Sequence, residues 1–144
     1  MNIEARLAAL EARVFGPPVK PSDTVVIGNL MWHRATNPDR LNFKDAESYC
    51  KALTTGSHTD WRLPTIQELL SLVDYTRFDP AIDIAQFPDT TSTYYWSSSP
   101  FASAPADYAW VVGFSDGGAD FLHRDGAAFV RAVRSVAPAS QVTP

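Results

Sequence analysis

The chain has 144 residues, 45% of them hydrophobic and 12% aromatic, and its 16 acidic and 12 basic side chains leave a net charge of −4. That size and apolarity support one folded, aromatic-rich domain able to bury roughly two thirds of its unfolded surface. The acidic balance and the lack of any basic run argue against nucleic-acid binding, and no apolar stretch approaches the ~20 residues that would insert into a membrane.

Residues 1–15 differ from the rest. Ile3, Leu7, Leu10 and Val14 are spaced 4, 3 and 4 apart, the d, a, d, a positions of a heptad. Arg6 and Arg13 then fall at g, and Glu4 and Glu11 at e, so Arg6 of one chain can meet Glu11 of a parallel neighbour. The spacing predicts a short coiled-coil helix that oligomerises through Ile3, Arg6, Leu7, Leu10, Glu11 and Val14; packing on its own domain is the alternative. Two heptads are marginal alone, so the remaining chain must help. Leu at a with Ile at d leaves dimer and trimer open, and a homo-trimer is preferred by analogy with fibre proteins. Residues 16–22, with Gly16-Pro17-Pro18-Val19-Lys20-Pro21, read as a stiff extended linker. The charged N-terminus lacks the unbroken apolar core of a signal peptide, so folding in a cytoplasm is expected.

A domain is expected over 23–136. Thr24–Ile27 and Leu30–Trp32 read as strands around a Gly28-Asn29 turn. Asn42 is placed to cap a helix carrying Phe43, Ala46, Cys50 and Leu53 on one face and ending near Gly56. Thr65 and Glu68 form a T-x-x-E capping box, after which Ile66, Leu69, Leu70 and Val73 supply the apolar stripe of a second helix over about 66–74. Residues 75–93 read as a long ordered loop. Four strands follow, near 94–98, 108–114, 119–123 and 128–135, the middle pair joined by the turn Ser115-Asp116-Gly117-Gly118. Two helices and a compact antiparallel sheet make an α+β layout. The tail 137–144 has little to bury.

Several segments in this order are distinctive: Leu30-Met31-Trp32, Ala46 to Cys50, Trp61-Arg62-Leu63-Pro64-Thr65, Phe87-Pro88, Tyr95 to Ser99, Ala109 to Val112 and Val130 to Arg134. Together they resemble the bacterial and phage DUF1566 family, known also from the C-terminal domain of Legionella collagen-like proteins. The resemblance implies a C-type-lectin-like fold, two helices with small antiparallel sheets and long loops, related to formylglycine-generating enzyme and to phage tropism determinants. Family members often place a second cysteine where this chain has Ala132; Cys50 is the one cysteine here and can form no intrachain disulfide. On the apolar stripe of its helix, Cys50 reads as a buried thiol.

The residues offer little chemistry. His33, His58 and His123 are scattered without metal-ligand spacing, and no cofactor is expected. Ser97, Ser98 and Ser99 have no nucleophile elbow around them and suggest cross-strand hydrogen bonding. Asp79, Asp83 and Asp89 could supply some calcium ligands, but nothing fixes their convergence, and Asn37-Pro38-Asp39 lies in the wrong place for the sugar motif of animal lectins. Trp61, Trp96 and Trp110 read as core, and Arg62, Arg131 and Arg134 as partners for Glu68 or Asp74. Recognition is left to the C-terminal loops. Phe101 stands there without an obvious core partner, beside Asp107, with Asp116 in the hairpin turn and His123, Arg124 and Asp125 before the last strand.

The expected protein is therefore a non-enzymatic phage virion component, a tail-fibre, tail-tip or head-decoration protein. It would display a lectin-like domain on an oligomeric stalk, contact other virion proteins and bind a host-surface glycan or protein. A bacterial envelope-associated binding module is the alternative. An enzyme is a further one, and requires a deep pocket beside His123 or Asp116.

Overall fold

The computed structural model describes residues 23–136, so the expected stalk (1–15), linker (16–22) and tail (137–144) lie outside the described residues. Strands β1 (Thr24–Ile27) and β2 (Leu30–His33) form a hairpin, with Gly28 at φ 63°, a conformation glycine adopts without a Cβ penalty. Helix α1 (Phe43–Ala52), a 3-10 turn (Thr55–Ser57) and helix α2 (Ile66–Leu70) follow. Then come β3 (Tyr94–Pro100), β4 (Tyr108–Gly113), β5 (Gly118–His123) and β6 (Val133–Ser135). They make two three-stranded antiparallel sheets, ordered β1-β2-β6 and β3-β4-β5, in an α+β arrangement. No helix among the described residues is long and apolar enough to cross a membrane.

Both helix starts follow the sequence. Asn42 accepts the Asp45 amide at 2.8 Å, and the capping box at Thr65 and Glu68 is complete, at 3.1 and 2.9 Å. Ser99 of β3 accepts a further first-turn amide, that of Ile66, at 2.9 Å. The helices stop earlier than expected. α1 ends at Ala52 because Leu53 is already extended, its amide closing back on the Cys50 carbonyl. α2 ends at Leu70: Leu72 and Val73 bond three residues back, and the Asp74 amide turns to Ala81 instead. Residues 75–93 form no helix or strand, yet Ile82 and Phe87 are buried and Ala81 bonds Phe114.

The expected last strand, 128–135, is a strand only at β6, because its earlier residues change partner at almost every step. Ala128 bridges Leu41, Phe129 lies between the backbones of Tyr94 and Trp96, Ala132 accepts His33, and Val133 pairs with Arg62. This seam is buried from Val130 to Val133. Two cores flank it. One joins α1 (Phe43, Ala46, Cys50) to Trp61, Trp96 and Val111; the other joins Trp32, Leu69, Ile82 and Phe87 to Tyr95, Val112 and Phe114. Trp61 and Trp96 are core as expected, at 3% and 0% exposure. Trp110 is not: it is half-buried in a separate aromatic group.

Of the three arginines, Arg62 alone pairs as expected. It grips Glu68 with both nitrogens (2.8 and 3.0 Å) and reaches the Ser135 hydroxyl at 3.1 Å, tying α2 to β6. Arg134 instead holds Asp60 at 2.6 Å, and Asp74 is held by Arg77 at 3.0 Å. Arg131 is fully buried. It donates to the carbonyls of His33 (3.2 Å) and Arg34 (2.6 Å) and the hydroxyls of Thr36 (2.9 Å) and Thr90 (2.8 Å). Its guanidinium lies 4.6 Å over the Phe87 ring, and Asp89 stands 3.8 Å away.

Arg131→Ala strands these acceptors, and we expect a loss of about 3 kcal/mol in urea denaturation of the full chain, which Arg131→Lys does not restore. Glu68 is held below the usual carboxylate range, chiefly by the Arg62 hydrogen bonds. A depressed carboxylate stabilises the fold above its unfolded pKa, about 4.3, and loses that contribution as pH falls through its lower folded value. Glu68→Gln should therefore flatten the decline of Tm with pH below about 4.5 and leave a lower Tm at pH 7.

Candidate recognition surface

The loop between β3 and β4 folds back over the outer part of the β4–β5 hairpin, anchored by the Phe101 amide on the Tyr108 carbonyl at 3.0 Å. Antiparallel register sets Trp110 opposite Phe121 and Tyr108 opposite His123. Phe101 was expected to stand alone, and instead it is the ring that closes this group. It stacks on Phe121 at 4.2 Å and 13°, and meets Trp110 edge-on at 5.4 Å and Tyr108 at 6.3 Å. The group remains open to solvent: Phe121 is 45% exposed and the His123 side chain 48%.

Polar groups stand around it. The His123 ring lies edge-on to Tyr108 at 5.1 Å, and its Nδ1 accepts the Asp125 amide at 3.1 Å, so the neutral ring carries its proton on Nε2. The Asp125 side chain is 94% exposed, and Asp107 is exposed at the foot of the loop. Arg124 also has a structural role. Its backbone amide bonds the Asp107 carbonyl and a guanidinium nitrogen the Pro105 carbonyl, both at 2.8 Å. The guanidinium sits 4.1 Å over the Phe43 ring, so Arg124 pins the loop to the start of α1.

Phe101, Asp107, His123 and Asp125 are thus brought together, while Asp116 lies at the other end of the hairpin. Five residue steps along β4 separate the two ends, about 17 Å. Asp116 closes the turn there, accepting the Gly118 amide at 2.9 Å, and lines an open polar cleft of about 340 Å³. His123, by contrast, has a side chain 48% exposed. Sequence reasoning missed Tyr108, Trp110 and Phe121 as surface residues. Their signal was the hairpin itself: a turn at 115–118 fixes which aromatics share a face. The proposed oligomerisation residues Ile3, Arg6, Leu7, Leu10, Glu11 and Val14 lie outside the described residues.

The remaining polar candidates are committed to structure. Ser97 donates to the Trp110 carbonyl at 2.7 Å, the cross-strand bond expected of it, and His33 pairs with the Thr55 hydroxyl at 2.8 Å. Asp83 accepts the Ala85 amide and Asp89 the Thr36 amide, each at 2.9 Å. Among the described residues, no three His, Cys, Asp or Glu side chains converge to hold a metal ion.

Residues 26–134 match the family model of the Lcl C-terminal domain. No curated protein matches the chain.

That match assigns no reactive group, and the one cysteine is not activated by its surroundings. Cys50 is 1% exposed beneath a shallow cleft of about 170 Å³ shared with Trp61 and Arg62. Burial, with a smaller contribution from Glu47, pushes its thiol pKa up to about 12. Because the thiolate is the nucleophile, Cys50 should resist iodoacetamide at pH 8 in the folded chain and react fully in denaturing urea, as read by intact mass.

Proposed function

The chain belongs to the Lcl C-terminal domain family, also described as DUF1566, and from that premise we propose that it is a non-enzymatic recognition domain of C-type-lectin-like architecture. Its ligand face is the open aromatic surface of β4 and β5, and its ligand is a surface saccharide. The observation that carries this reading is Phe121. It stays 45% exposed at the centre of a ring group that could have been closed over, with hydrogen-bonding side chains at the rim. An aromatic plane flanked by His123, Asp107 and Asp125 suits the apolar face of a sugar ring and its peripheral hydroxyls.

Several arrangements support a binding role over a catalytic one. The hydroxyls of Ser97 and Ser99 in β3 are spent on backbone bonds, Cys50 is buried, and the nearest ring nitrogen to a carboxylate at this face is the open His123–Asp125 pair at 3.7 Å. The setting we propose is a phage virion, with the domain displayed as a homo-trimer on the stalk of residues 1–15. The stalk rests on the heptad spacing and the Pro-rich linker, the trimer on analogy with fibre proteins, and the virion setting on these together with the family resemblance.

Full-length protein should label a defined set of bacterial surface polysaccharides on a glycan array. Phe121→Ala should weaken that binding roughly tenfold, about 1–2 kcal/mol, with Tm changed by no more than a few degrees because the ring is half exposed. Unchanged labelling by the variant would move the ligand face elsewhere; no labelling by either protein would remove the saccharide reading.

A further inference from the structure

At the opposite end of the β4–β5 hairpin the sheet is left uncovered, and the exposed end forms the polar cleft of about 340 Å³. That volume sits at the small end of the range of ligand pockets, about 300–1,000 Å³. Its walls are Ser92, Thr93, Tyr94, Ser115, Asp116 and Asp120. Its floor is flat because Gly113 and Gly118 face each other across β4 and β5. A Cβ on Gly113 would lie 3.1 Å from the Tyr94 ring, so the glycine lets that ring lie against the sheet as one wall.

Two negative charges face this space and no basic side chain lines it. Asp116 uses one oxygen on the Gly118 amide. Asp120 accepts the Phe121 amide at 2.8 Å and the Tyr94 hydroxyl at 3.3 Å. Neither carboxylate forms an ion pair among the described residues, a state they share with Asp107 and several other surface carboxylates, but here the two stand in one cleft. The hydroxyls of Ser92, Thr93 and Ser115 likewise carry no hydrogen bond among the described residues. The field in the cleft is felt at its wall: the Asp120 charge, followed by burial and by Asp116, raises the Tyr94 pKa.

We propose that this cleft is a second binding site, and that it takes an amino sugar bearing a free ammonium group. The ammonium sits between Asp116 and Asp120 against the Tyr94 ring, and the sugar hydroxyls meet those of Ser92, Thr93 and Ser115. Charge-assisted hydrogen bonds and a cation over an aromatic face select the amine, and the unspent hydroxyls select a polyol over an aliphatic chain. Asp120 and Phe121 are consecutive in β5 and so point to opposite faces of the sheet, which keeps this site separate from the aromatic face, and the proposal does not rest on that face.

The test uses isotope-labelled full-length protein and amide NMR, with a glucosamine tetrasaccharide as probe. The fully N-acetylated tetrasaccharide and a capped Gly-Lys-Gly peptide serve as comparisons. The glucosamine oligomer should shift the amides of Gly113, Gly117 and Gly118, and Asp116→Asn and Asp120→Asn should each weaken it about tenfold while keeping the turn bonds. In the wild-type protein, raising pH through the amine's own pKa should abolish the shifts, a readout that stands even if a variant fails to fold. The proposal is overturned if those amides do not move, or if the acetylated oligomer moves them equally. Peptide binding as tight as the sugar's would also overturn it, by pointing to a protein ligand. So would undiminished binding by folded Asn variants.

Discussion

A guanidinium removed from water must find acceptors, and Arg131 finds them in two separate stretches of chain. His33 ends β2, Arg34 and Thr36 lie in the loop that follows it, and Thr90 belongs to the long connection before β3. None of these stretches has regular structure of its own beyond β2, so a fixed charge does for them what a ladder does for a strand. Breaking the arrangement leaves both the cation and its acceptors unsolvated, which is why the loops cannot relax independently. The neighbouring seam residues complete the constraint, since Ala128, Phe129, Ala132 and Val133 each bond a different segment. The domain is held from its C-terminal thread outward.

Such a centre leaves one element free of structural duty. β3 is bound to the seam through Tyr94 and Trp96, and β4 is covered by β3 and β5 on its two edges. β5 lies at the edge of its sheet and is exposed along most of its length. Both candidate sites therefore arise on one hairpin, an apolar one where Phe121 faces out and an acidic one where glycines keep the sheet bare. Loops and edges supported by a rigid body are where binding groups can be presented without cost to the core.

Local signals were legible in the sequence and long-range ones were not. Asn42, the Thr65–Glu68 box and the 115–118 turn announce themselves because each acts within four residues. The early end of α2 was hidden, because a favourable apolar stripe continues to Val73 while the Asp74 amide is claimed by Ala81. The partner of Arg131 was missed for a similar reason: a carboxylate is the obvious match for an arginine, yet backbone carbonyls 97 and 98 residues away hold it. Trp110 was assigned to the core on its apolar neighbours, although its face is settled only by where the β3–β4 loop returns. The same return gave Phe101 the partners that its loop sequence did not advertise. Membership of a family does not locate these surfaces, because a fold hosts sites without dictating them.

The order β1-β2-β6 has a mechanical consequence. β1 and β6 are both antiparallel to β2, so they run in the same direction on its two sides. Thr24 begins beside His33, whereas Ser135 ends beside Leu30, so the chain enters this sheet at one end and leaves it at the other. Tension between entry and exit draws β1 and β6 lengthwise past β2 and strains their ladder bonds together, instead of peeling them apart one at a time. A domain tethered at one end and pulled at the other would carry that load in shear.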